Sequence, residues 1–238
     1  MTFSTVRSIY RRERFSAVQP KTALMLINLL LLFFAVPAFS QGNAGADSRE
    51  TANQAMPLSG SEQTAVFAGG CFWGMEGVFE RIKGVKDVVS GYSGGSAATA
   101  TYRQVGSGKT GHAESVRILY DPAVVSFDFL LEVFFNVAHD PTELNFQGPD
   151  VGTQYRSAVF YTDDEQQQET TRYIQTLNAS GKYKSPIVTE VTPFKAFYPA
   201  EDYHQDFMRN NPGYPYIVYW DLPKVRLLES EYPDKLKS

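Results

Sequence analysis

The chain has 238 residues, of which 43% are hydrophobic and 14% aromatic, and this content is enough for one compact domain with a substantial core. The 22 basic and 26 acidic side chains give a net charge of -4, and no basic stripe follows the extreme N-terminus, so nucleic acid is not expected as a partner. Three histidines and one cysteine are too few for a cysteine–histidine zinc site, and we predict no metal site.

The N-terminal segment has the pattern of a targeting signal. Arginine and lysine side chains up to Lys21 precede an apolar run over residues 23–36, and Ala38-Phe39-Ser40 places small residues where a signal peptidase reads them. We therefore predict a signal peptide over residues 1–40 and export to the bacterial periplasm or envelope. The alternative is an uncleaved signal that anchors the chain in a membrane, although a spanning helix needs about 20 apolar residues.

The rest of the chain divides by composition. Residues 41–63 are small and polar, cannot bury much apolar surface, and are predicted to form a flexible linker. A folded domain is expected over residues 64–223, and a charged C-terminal tail over residues 224–238.

The single cysteine, Cys71, is predicted to lie where a strand passes into a helix. Residues 64–68 form a short apolar run, and Gly69-Gly70 interrupt it. Free backbone N–H groups and the helix dipole at a helix start favour a thiolate, and glycines allow a substrate to approach the backbone closely. The helix is predicted to end at Lys83-Gly84, and its apolar side chains recur at helical spacing at Phe72, Met75, Phe79 and Ile82.

The position of Cys71 at a helix start indicates the role of its thiol. An exported chain with one cysteine has no internal disulfide, so Cys71 is either a core filler or a reactive group, and its position at a helix start favours a nucleophile. Phe72 and Trp73 are neighbours on the helix and point about 100° apart, so they cannot both enter one core. We expect one or both to form an apolar wall beside the sulfur; a core Phe72 with a half-exposed Trp73 is the alternative.

The remaining elements mix strands and helices, which indicates an α+β fold arranged as a two-layer sandwich. Strands are predicted over residues 85–90, 112–120, 157–161 and 187–191. Helices are predicted over residues 126–137, capped by Ser126, from a capping box of Thr162 and Glu165 to residue 178, and over residues 200–208. An irregular C-terminal coil is expected after Asn211, where the chain is rich in Tyr, Pro and Trp.

Glu114 occupies an unusual place in the predicted strand over residues 112–120. It shares a face with Val116, Ile118 and Tyr120, which is the more apolar face of the strand. A carboxyl in that setting loses hydration, so its pKa rises and the neutral acid is favoured. A neutral acid beside a substrate oxygen can donate a proton. Glu114 could equally lie at the end of the strand, where the face meets solvent.

The sequence resembles a known family, the class A peptide methionine sulfoxide reductases. The resemblance covers essentially the whole folded domain, its motifs follow the order of the family, and together they are highly specific. It implies a ferredoxin-like core and makes residues 64–223 a catalytic domain. The motifs are GCFWGME at 70–76, GYSGG at 91–95, TYR at 101–103, TGHAE at 110–114, HDP at 139–141, GTQYRS at 152–157 and AEDYHQ at 200–205.

The resemblance also implies roles for single residues. Cys71 would be the nucleophile, and Glu114 the acid that polarises the sulfoxide oxygen, helped by Tyr102 and Tyr155. Asp150 would support the site through hydrogen bonds. Phe72 and Trp73 would form the pocket for the substrate methyl group. From the residues alone, an aromatic on a loop of small residues, as Tyr102 is, favours a site over a core, whereas Tyr155 is equally well read as a half-buried tyrosine.

The three histidines leave other functions open. A Cys–His pair would suggest a cysteine hydrolase that uses Cys71 with His112 or His204. We expect structural hydrogen bonding for both of these and for His139. A third hypothesis is a non-catalytic module that binds oxidised methionine in partner proteins.

The favoured hypothesis is a peptide-methionine (S)-S-oxide reductase that reduces methionine (S)-sulfoxide in proteins, peptides or the free amino acid through a Cys71 sulfenic acid. The epimer follows from the resemblance. Many members of the family regenerate the thiol with resolving cysteines in the C-terminal coil, but this chain has no second cysteine. We therefore expect that no cofactor is bound and that an external thiol reduces Cys71: a thioredoxin-like protein, a glutaredoxin or a small thiol. The protein is expected to be a monomer.

Overall fold

The computed structural model describes residues 62–238. The predicted signal peptide and nearly all of the predicted linker lie outside the described residues, so both stay predictions. Among the helices that are described, none is long and apolar enough to cross a membrane.

Within residues 62–238 the strands form a six-stranded sheet and a separate two-stranded hairpin. In the larger sheet the strand order is β7-β6-β1-β3-β2-β8, and the hairpin pairs β4 with β5. The strands are β1 (Gln63–Gly69), β2 (Val85–Ser93), β3 (Ala113–Tyr120), β4 (Phe146–Gln147), β5 (Asp150–Val151), β6 (Ser157–Tyr161), β7 (Glu190–Pro193) and β8 (Phe197–Pro199).

The helices are short, with one exception. Two single π-helical turns, Phe134–Ala138 and Ile217–Asp221, directly follow or precede an α-helix. The α-helices are α1 (Phe72–Phe79), α2 (Tyr102–Val105), α3 (Phe127–Val133), α4 (Asp164–Ser180), α5 (Phe207–Asn210) and α6 (Leu222–Glu231).

The centre of the sheet confirms the predicted ferredoxin-like core. Along the chain, β1, α1, β2, β3, α3 and β6 follow one another, and the four strands lie side by side in the order β6-β1-β3-β2. Strand β3 is antiparallel to both β1 and β2, and β6 is antiparallel to β1. Strands β7 and β8 extend the two edges, so the fold is the expected α+β sandwich.

Strand β1 is buried on both faces, as a central strand must be. Ala65 and Phe67 belong to the main core between the sheet and the helices. Val66 and Ala68 point the other way into a smaller apolar cluster, which includes Phe160. The run of small and apolar residues in β1 follows from this double burial, and it brings the chain to Cys71 deep in the molecule.

The α-helices begin close to where the sequence predicts. The Ser126 hydroxyl accepts a hydrogen bond from the Phe129 amide at 3.2 Å, which confirms the predicted cap of α3. The cap of α4 is Asp163 rather than Thr162, because the Asp163 carboxylate is the group that accepts from the Gln166 amide, at 2.9 Å. Helix α1 ends at Phe79, before Lys83-Gly84.

Two predicted elements were wrong in extent. The strand predicted over residues 187–191 begins only at Glu190, because the Val188 amide donates to the Pro141 carbonyl and not to the sheet. Residues 200–208 do not form one helix. Asp206 has a left-handed backbone with φ 53°, which separates a single turn at Asp202–His204 from helix α5.

The C-terminal region is more regular than the predicted irregular coil and tail. Pro223 lies in the first turn of α6, a position where proline fits a helix. Val225 and Leu228, one helical turn apart, are buried against the main core. Beyond the helix, Leu236 forms a β-bridge with Ile82, so the predicted charged tail also contacts the domain.

Candidate active site

Cys71 is the N-cap residue of helix α1, as the sequence predicts. Gly70 before it has φ 94°, a backbone conformation that residues with a side chain rarely adopt. A Cβ atom on Gly70 would lie 2.6 Å from Cγ of Gln147. The space at this glycine is therefore filled by the protein's own β4–β5 hairpin, and the prediction that a substrate approaches the backbone closely at Gly70 was wrong.

The Cys71 thiol is buried and protonated in the resting site. Its exposed fraction is 8%. Burial raises the pKa of the thiol well above its usual value, and the carboxyl groups of Glu114 and Asp221 raise it further. The backbone amide of Trp73 acts in the opposite direction but does not outweigh these effects. The helix start favours the thiolate, as the sequence predicts, but burial of the sulfur, which the sequence does not show, outweighs this effect.

Phe72 and Trp73 are both wall residues of the cavity that contains the Cys71 sulfur. Phe72 is buried, and its ring lies 5.9 Å from that of Tyr92. Trp73 is half-buried and stacks on Phe207, with ring centroids 3.8 Å apart and an angle of 11° between the planes. The predicted alternative, a core Phe72 with a half-exposed Trp73, agrees with the burial of each residue. It does not account for the cavity that the two residues line together.

Glu114 lies beneath the start of helix α1, not at a solvent-exposed strand end. Its exposed fraction is 2%, and one carboxyl oxygen accepts a hydrogen bond from the Phe72 amide at 3.2 Å. Burial raises its pKa to about 8, although the Phe72 amide partly offsets this. Glu114 is therefore the neutral acid at physiological pH, as its position on an apolar strand face suggests.

Two tyrosines line the same cavity. Tyr102 opens helix α2 and is 37% exposed, and Tyr155 ends the single turn Thr153–Tyr155 just before β6. Burial, followed by the charge of Glu114, raises the pKa of Tyr102 to about 12 and that of Tyr155 further still. Both hydroxyls therefore keep their protons and can donate hydrogen bonds.

Asp150 and Tyr216 close the cavity from the hairpin and from the C-terminal region. The Tyr216 hydroxyl donates a hydrogen bond to the Asp150 carboxylate. Burial raises the pKa of Asp150, and the hydrogen bond from Tyr216 lowers it. Tyr216 did not appear among the predicted site residues, because it lies in a Tyr- and Pro-rich stretch without periodicity, and only its contact with Asp150 shows its place.

The side chains predicted for the site meet at one small cavity of about 130 Å³. The volume suits a thioether-sized group. A strand end, a helix start, a loop helix, a hairpin and the C-terminal segment each contribute to its walls. The lining residues are Cys71, Phe72, Trp73, Tyr102, Glu114, Asp150, Tyr155 and Tyr216.

The histidines make structural hydrogen bonds and none of them lines this cavity. His112 bonds to the backbone of Gly95 and Ser96, and His139 to the Phe134 carbonyl and the Ser157 hydroxyl. No Cys–His hydrogen bond is formed at Cys71 in the described part of the chain, which removes the geometric basis of a cysteine hydrolase. Residues 62–238 also hold no group of three metal-ligating side chains.

A protonated thiol, a neutral carboxyl and two tyrosines around a small cavity fit a thiol-dependent enzyme in which a nucleophile and an acid act together on a small group. Comparison with protein families matches residues 63–236 to the peptide methionine sulfoxide reductases. The chain therefore belongs to the peptide methionine sulfoxide reductase family, whose reaction is the reduction of methionine sulfoxide.

Relatives and solved structures agree with this family. The chain is 57% identical to peptide methionine sulfoxide reductase MsrA 2 of Synechocystis, over 74% of this chain and 82% of that protein. It is 59% identical to MsrA 2 of Mesorhizobium japonicum, over 73% of this chain and 89% of the relative. The crystal structure of reduced Mxr1 from Saccharomyces cerevisiae is similar with a TM-score of 0.60 at 34% identity, covering 68% of this chain and 91% of Mxr1. For methionine sulfoxide reductase A of Corynebacterium diphtheriae the TM-score is 0.58 at 37% identity, covering 66% and 78%.

Proposed function

We propose that the protein reduces methionine (S)-sulfoxide to methionine, with Cys71 as the nucleophile and Glu114 as the acid. The observation that carries this assignment is that the thiol and a neutral carboxyl line the same small cavity, where the Phe72 amide holds the carboxyl in place. The family reaction needs both groups: a sulfur that attacks and an acid that protonates oxygen.

The walls of the cavity divide by polarity, and this division orients the sulfoxide. The substrate methyl group packs against the rings of Phe72 and Trp73. The oxygen faces Glu114 and the hydroxyls of Tyr102 and Tyr155, which are donors that match the charge developing on oxygen. Asp150, which accepts a hydrogen bond from Tyr216, lines the same cavity. With its methyl group and its oxygen placed in this way, the substrate has its sulfur next to Cys71.

The first chemical step is balanced within the site. The Cys71 sulfur attacks the sulfoxide sulfur while Glu114 protonates the oxygen, and the thiol proton replaces the one that Glu114 has given. The S–S bond formed by this attack and the S–O bond of the substrate then both break, as the hydroxyl group becomes bonded to the Cys71 sulfur. The substrate sulfur is reduced to methionine and Cys71 is oxidised to a sulfenic acid. Because thiol and carboxyl both begin protonated, no proton has to be taken from solvent.

The return step needs an external thiol, because the chain has no second cysteine. A donor thiol attacks the sulfenic acid, its proton leaves with the hydroxyl group as water, and a mixed disulfide forms; a second donor thiol then attacks the donor sulfur, which forms a donor disulfide and releases the Cys71 thiol. A thioredoxin-like protein, a glutaredoxin or a small thiol fits this role. Cys71 is 8% exposed, so the donor reaches it through the cavity mouth beside the half-exposed Tyr102.

A single-turnover experiment tests the assignment. The full chain is mixed with a peptide that contains methionine (S)-sulfoxide, without reductant, and the free thiol is titrated. About one thiol should disappear per methionine formed, and a sulfenic-acid probe should label Cys71. The (R)-epimer and the Cys71→Ser variant are the matched controls and should give no methionine. An unchanged thiol without methionine would refute the reductase, and binding without reaction would favour a recognition module.

We also propose that the protein is exported and that it is a monomer. The basic segment and apolar run before residue 37 support a secretory signal, so oxidised envelope proteins are the expected substrates. Fractionation of cells and N-terminal sequencing of the mature chain test this: cleavage after Ser40 predicts an N-terminus at Gln41. A chain that stays in the membrane fraction with its first residues intact would support the anchor instead.

A further inference from the structure

The β4–β5 hairpin has one face towards the active site and one towards solvent. Gln147 is buried and Asp150 lines the cavity, and these two residues face each other across the hairpin. The next facing pair, Phe146 and Val151, points to the opposite side, because successive side chains of a strand alternate. Both are exposed, and the exposed fraction of Val151 is 76%. An apolar pair therefore lies in solvent directly beside a residue of the cavity wall.

The backbone groups of Val151 are not used by the hairpin. The Gly152 amide donates to the Asn145 carbonyl at 2.9 Å, so these two residues form a hydrogen-bonded pair. Such pairs alternate with non-hydrogen-bonded pairs in an antiparallel ladder, so the N–H and C=O groups of Val151 point away from β4. Strand β5 pairs with no other strand, and within residues 62–238 neither group bonds to another part of the backbone. Val151 therefore forms an open edge of β5.

This open edge lies where the backbone of a polypeptide substrate has to pass. Asp150 and Tyr155, which lie before and after Val151 in the chain, both line the cavity. A methionine sulfoxide side chain is short, so the backbone that carries it crosses the mouth of the cavity when the sulfoxide is inside. A strand added beside β5 would run about 4.7 to 4.9 Å from it, and its side chain opposite Asp150 would point to the cavity face.

We propose that the open edge of β5 binds the backbone of the polypeptide substrate as an added antiparallel strand, with methionine sulfoxide opposite Asp150 and the preceding residue opposite Val151. This inference rests on the proposed function, because it takes the sulfoxide side chain to occupy the cavity. The strand is antiparallel because a single residue then meets both backbone groups of Val151, whereas a parallel strand needs two. The side chain of that preceding residue lies on the exposed face of the hairpin, next to Val151.

Backbone methylation of the substrate tests the pairing without changing the enzyme. Three peptides of one sequence are compared: unmodified, N-methylated at the residue before methionine (S)-sulfoxide, and N-methylated at the sulfoxide residue itself. The first methyl group removes the donor to the Val151 carbonyl and separates the strands, so kcat/KM should fall about tenfold, mainly through KM. The second lies on an N–H that points away from β5, and kcat/KM should stay within about twofold of the unmodified peptide.

A charge placed at Val151 tests the position of the neighbouring side chain. Peptides with Glu or Val before the sulfoxide are compared in wild type and in Val151→Lys. The kcat/KM ratio of the Glu peptide to the Val peptide should rise about two- to fivefold in the variant, as an exposed ion pair allows. Leu144→Lys is the matched control, because Leu144 is 62% exposed and precedes the hairpin, and it should leave the ratio unchanged.

Equal effects of the two methyl groups, or an unchanged ratio in Val151→Lys, would overturn the proposal. A change only in the KM for a thioredoxin donor, or in the oligomeric state, would assign the edge to another partner and overturn it as well. Reduction of all peptides and of free methionine (S)-sulfoxide at one common kcat/KM would refute the open edge alone. Failure of wild type to reduce any of these sulfoxides would instead refute the proposed function.

Discussion

Glu114 combines burial with a single hydrogen bond, and this combination sets its protonation state. A carboxylate that accepts several backbone N–H bonds would remain ionised, but Glu114 accepts one, from the Phe72 amide. Its pKa is raised to about 8 by burial, so the acid form prevails below that pH. The Cys71 thiol is protonated over the same range. The first step therefore begins with two protons in the cavity: Glu114 gives one to the substrate oxygen, and the thiol proton restores the acid form of Glu114.

This arrangement predicts the pH dependence of single turnover. The rate of sulfenic acid formation should be nearly constant below about pH 8 and should fall above it, because Glu114 then loses the proton it donates and adds a negative charge beside the attacking sulfur. Glu114→Gln should slow the step about 100- to 10,000-fold and remove this decline, while substrate binding is retained. Rapid-quench measurement of methionine gives both results. An unaltered rate in Glu114→Gln would exclude the acid role.

At the residue scale, the sequence predicts identities better than protonation states. Alternation along β3 places Glu114 on an apolar face, but only the structure shows that the second residue of the strand is covered by helix α1. The glycines before Cys71 predict its helix start, yet the proton on the sulfur depends on burial by distant segments. Tyr216 could not be predicted, because its partner Asp150 is far from it in the sequence.

At the scale of elements, helix α1 and the C-terminal segment approach each other at Gly74. A Cβ atom on Gly74 would lie 2.1 Å from an oxygen of Asp221, which is fully buried and paired with Lys224 at 3.2 Å. The absence of a side chain at Gly74 thus makes room for the ion pair between Asp221 and Lys224. That pair belongs to the segment that brings Tyr216 to the active site.

Gly74→Ala should therefore destabilise the domain. Alanine normally stabilises a helix by up to about 1 kcal/mol relative to glycine, but here the new methyl group displaces Asp221 and disrupts a buried ion pair, for a net loss of about 2 to 4 kcal/mol. Gly213→Ala is the matched control, because a Cβ atom there meets nothing within 4 Å, and it should change the free energy of unfolding by less than about 0.5 kcal/mol. Urea unfolding of both variants measures the difference. Equal stability of the two would show that Asp221 moves away at no cost.

Elements with strong periodicity were predictable, and those defined by tertiary contacts were not. The central strands and helix α3 follow alternation and capping, which are local signals. The region over residues 200–208 contains helix-forming residues, but Asp206 adopts a left-handed backbone whose amide donates to Glu76 at 3.0 Å. Helix α6 was predictable from Pro223, Val225 and Leu228, although the neighbouring aromatic stretch, which has no regular pattern, concealed it.

For the whole molecule, Glu76 links stability to pH. It is buried in helix α1, and burial, followed by the charge of Asp206, raises its pKa from 4.5 to about 8. The unfolded chain ionises Glu76 at lower pH than the folded chain does, so its contribution to stability is complete below about pH 4.5 and is lost as the pH rises towards 8.

Glu76→Gln should remove this part of the pH dependence. The amide keeps an acceptor for the Asp206 amide and cannot ionise. The variant should match wild type below about pH 4.5 and become more stable than wild type at higher pH, by up to about 1.4 kcal/mol per pH unit until pH 8. Thermal or urea unfolding across this range tests it, with the low-pH comparison as the internal control. A constant difference between the two proteins would mean that Glu76 does not titrate on unfolding.

The single cysteine makes the redox cycle of the whole molecule depend on its donor. After one turnover without reductant, intact-mass analysis should show the gain of one oxygen atom, and not the loss of two hydrogens that an internal disulfide would cause, because Cys71 has no cysteine partner in the chain. We expect donor attack on the buried sulfur to limit the cycle, so in steady state the rate should rise with the concentration of thioredoxin or of a small dithiol. A thioredoxin variant without its second active-site cysteine should accumulate as a mixed disulfide with Cys71. A turnover rate independent of donor concentration, with the first step as fast as the cycle, would show that chemistry on the sulfoxide limits the enzyme instead.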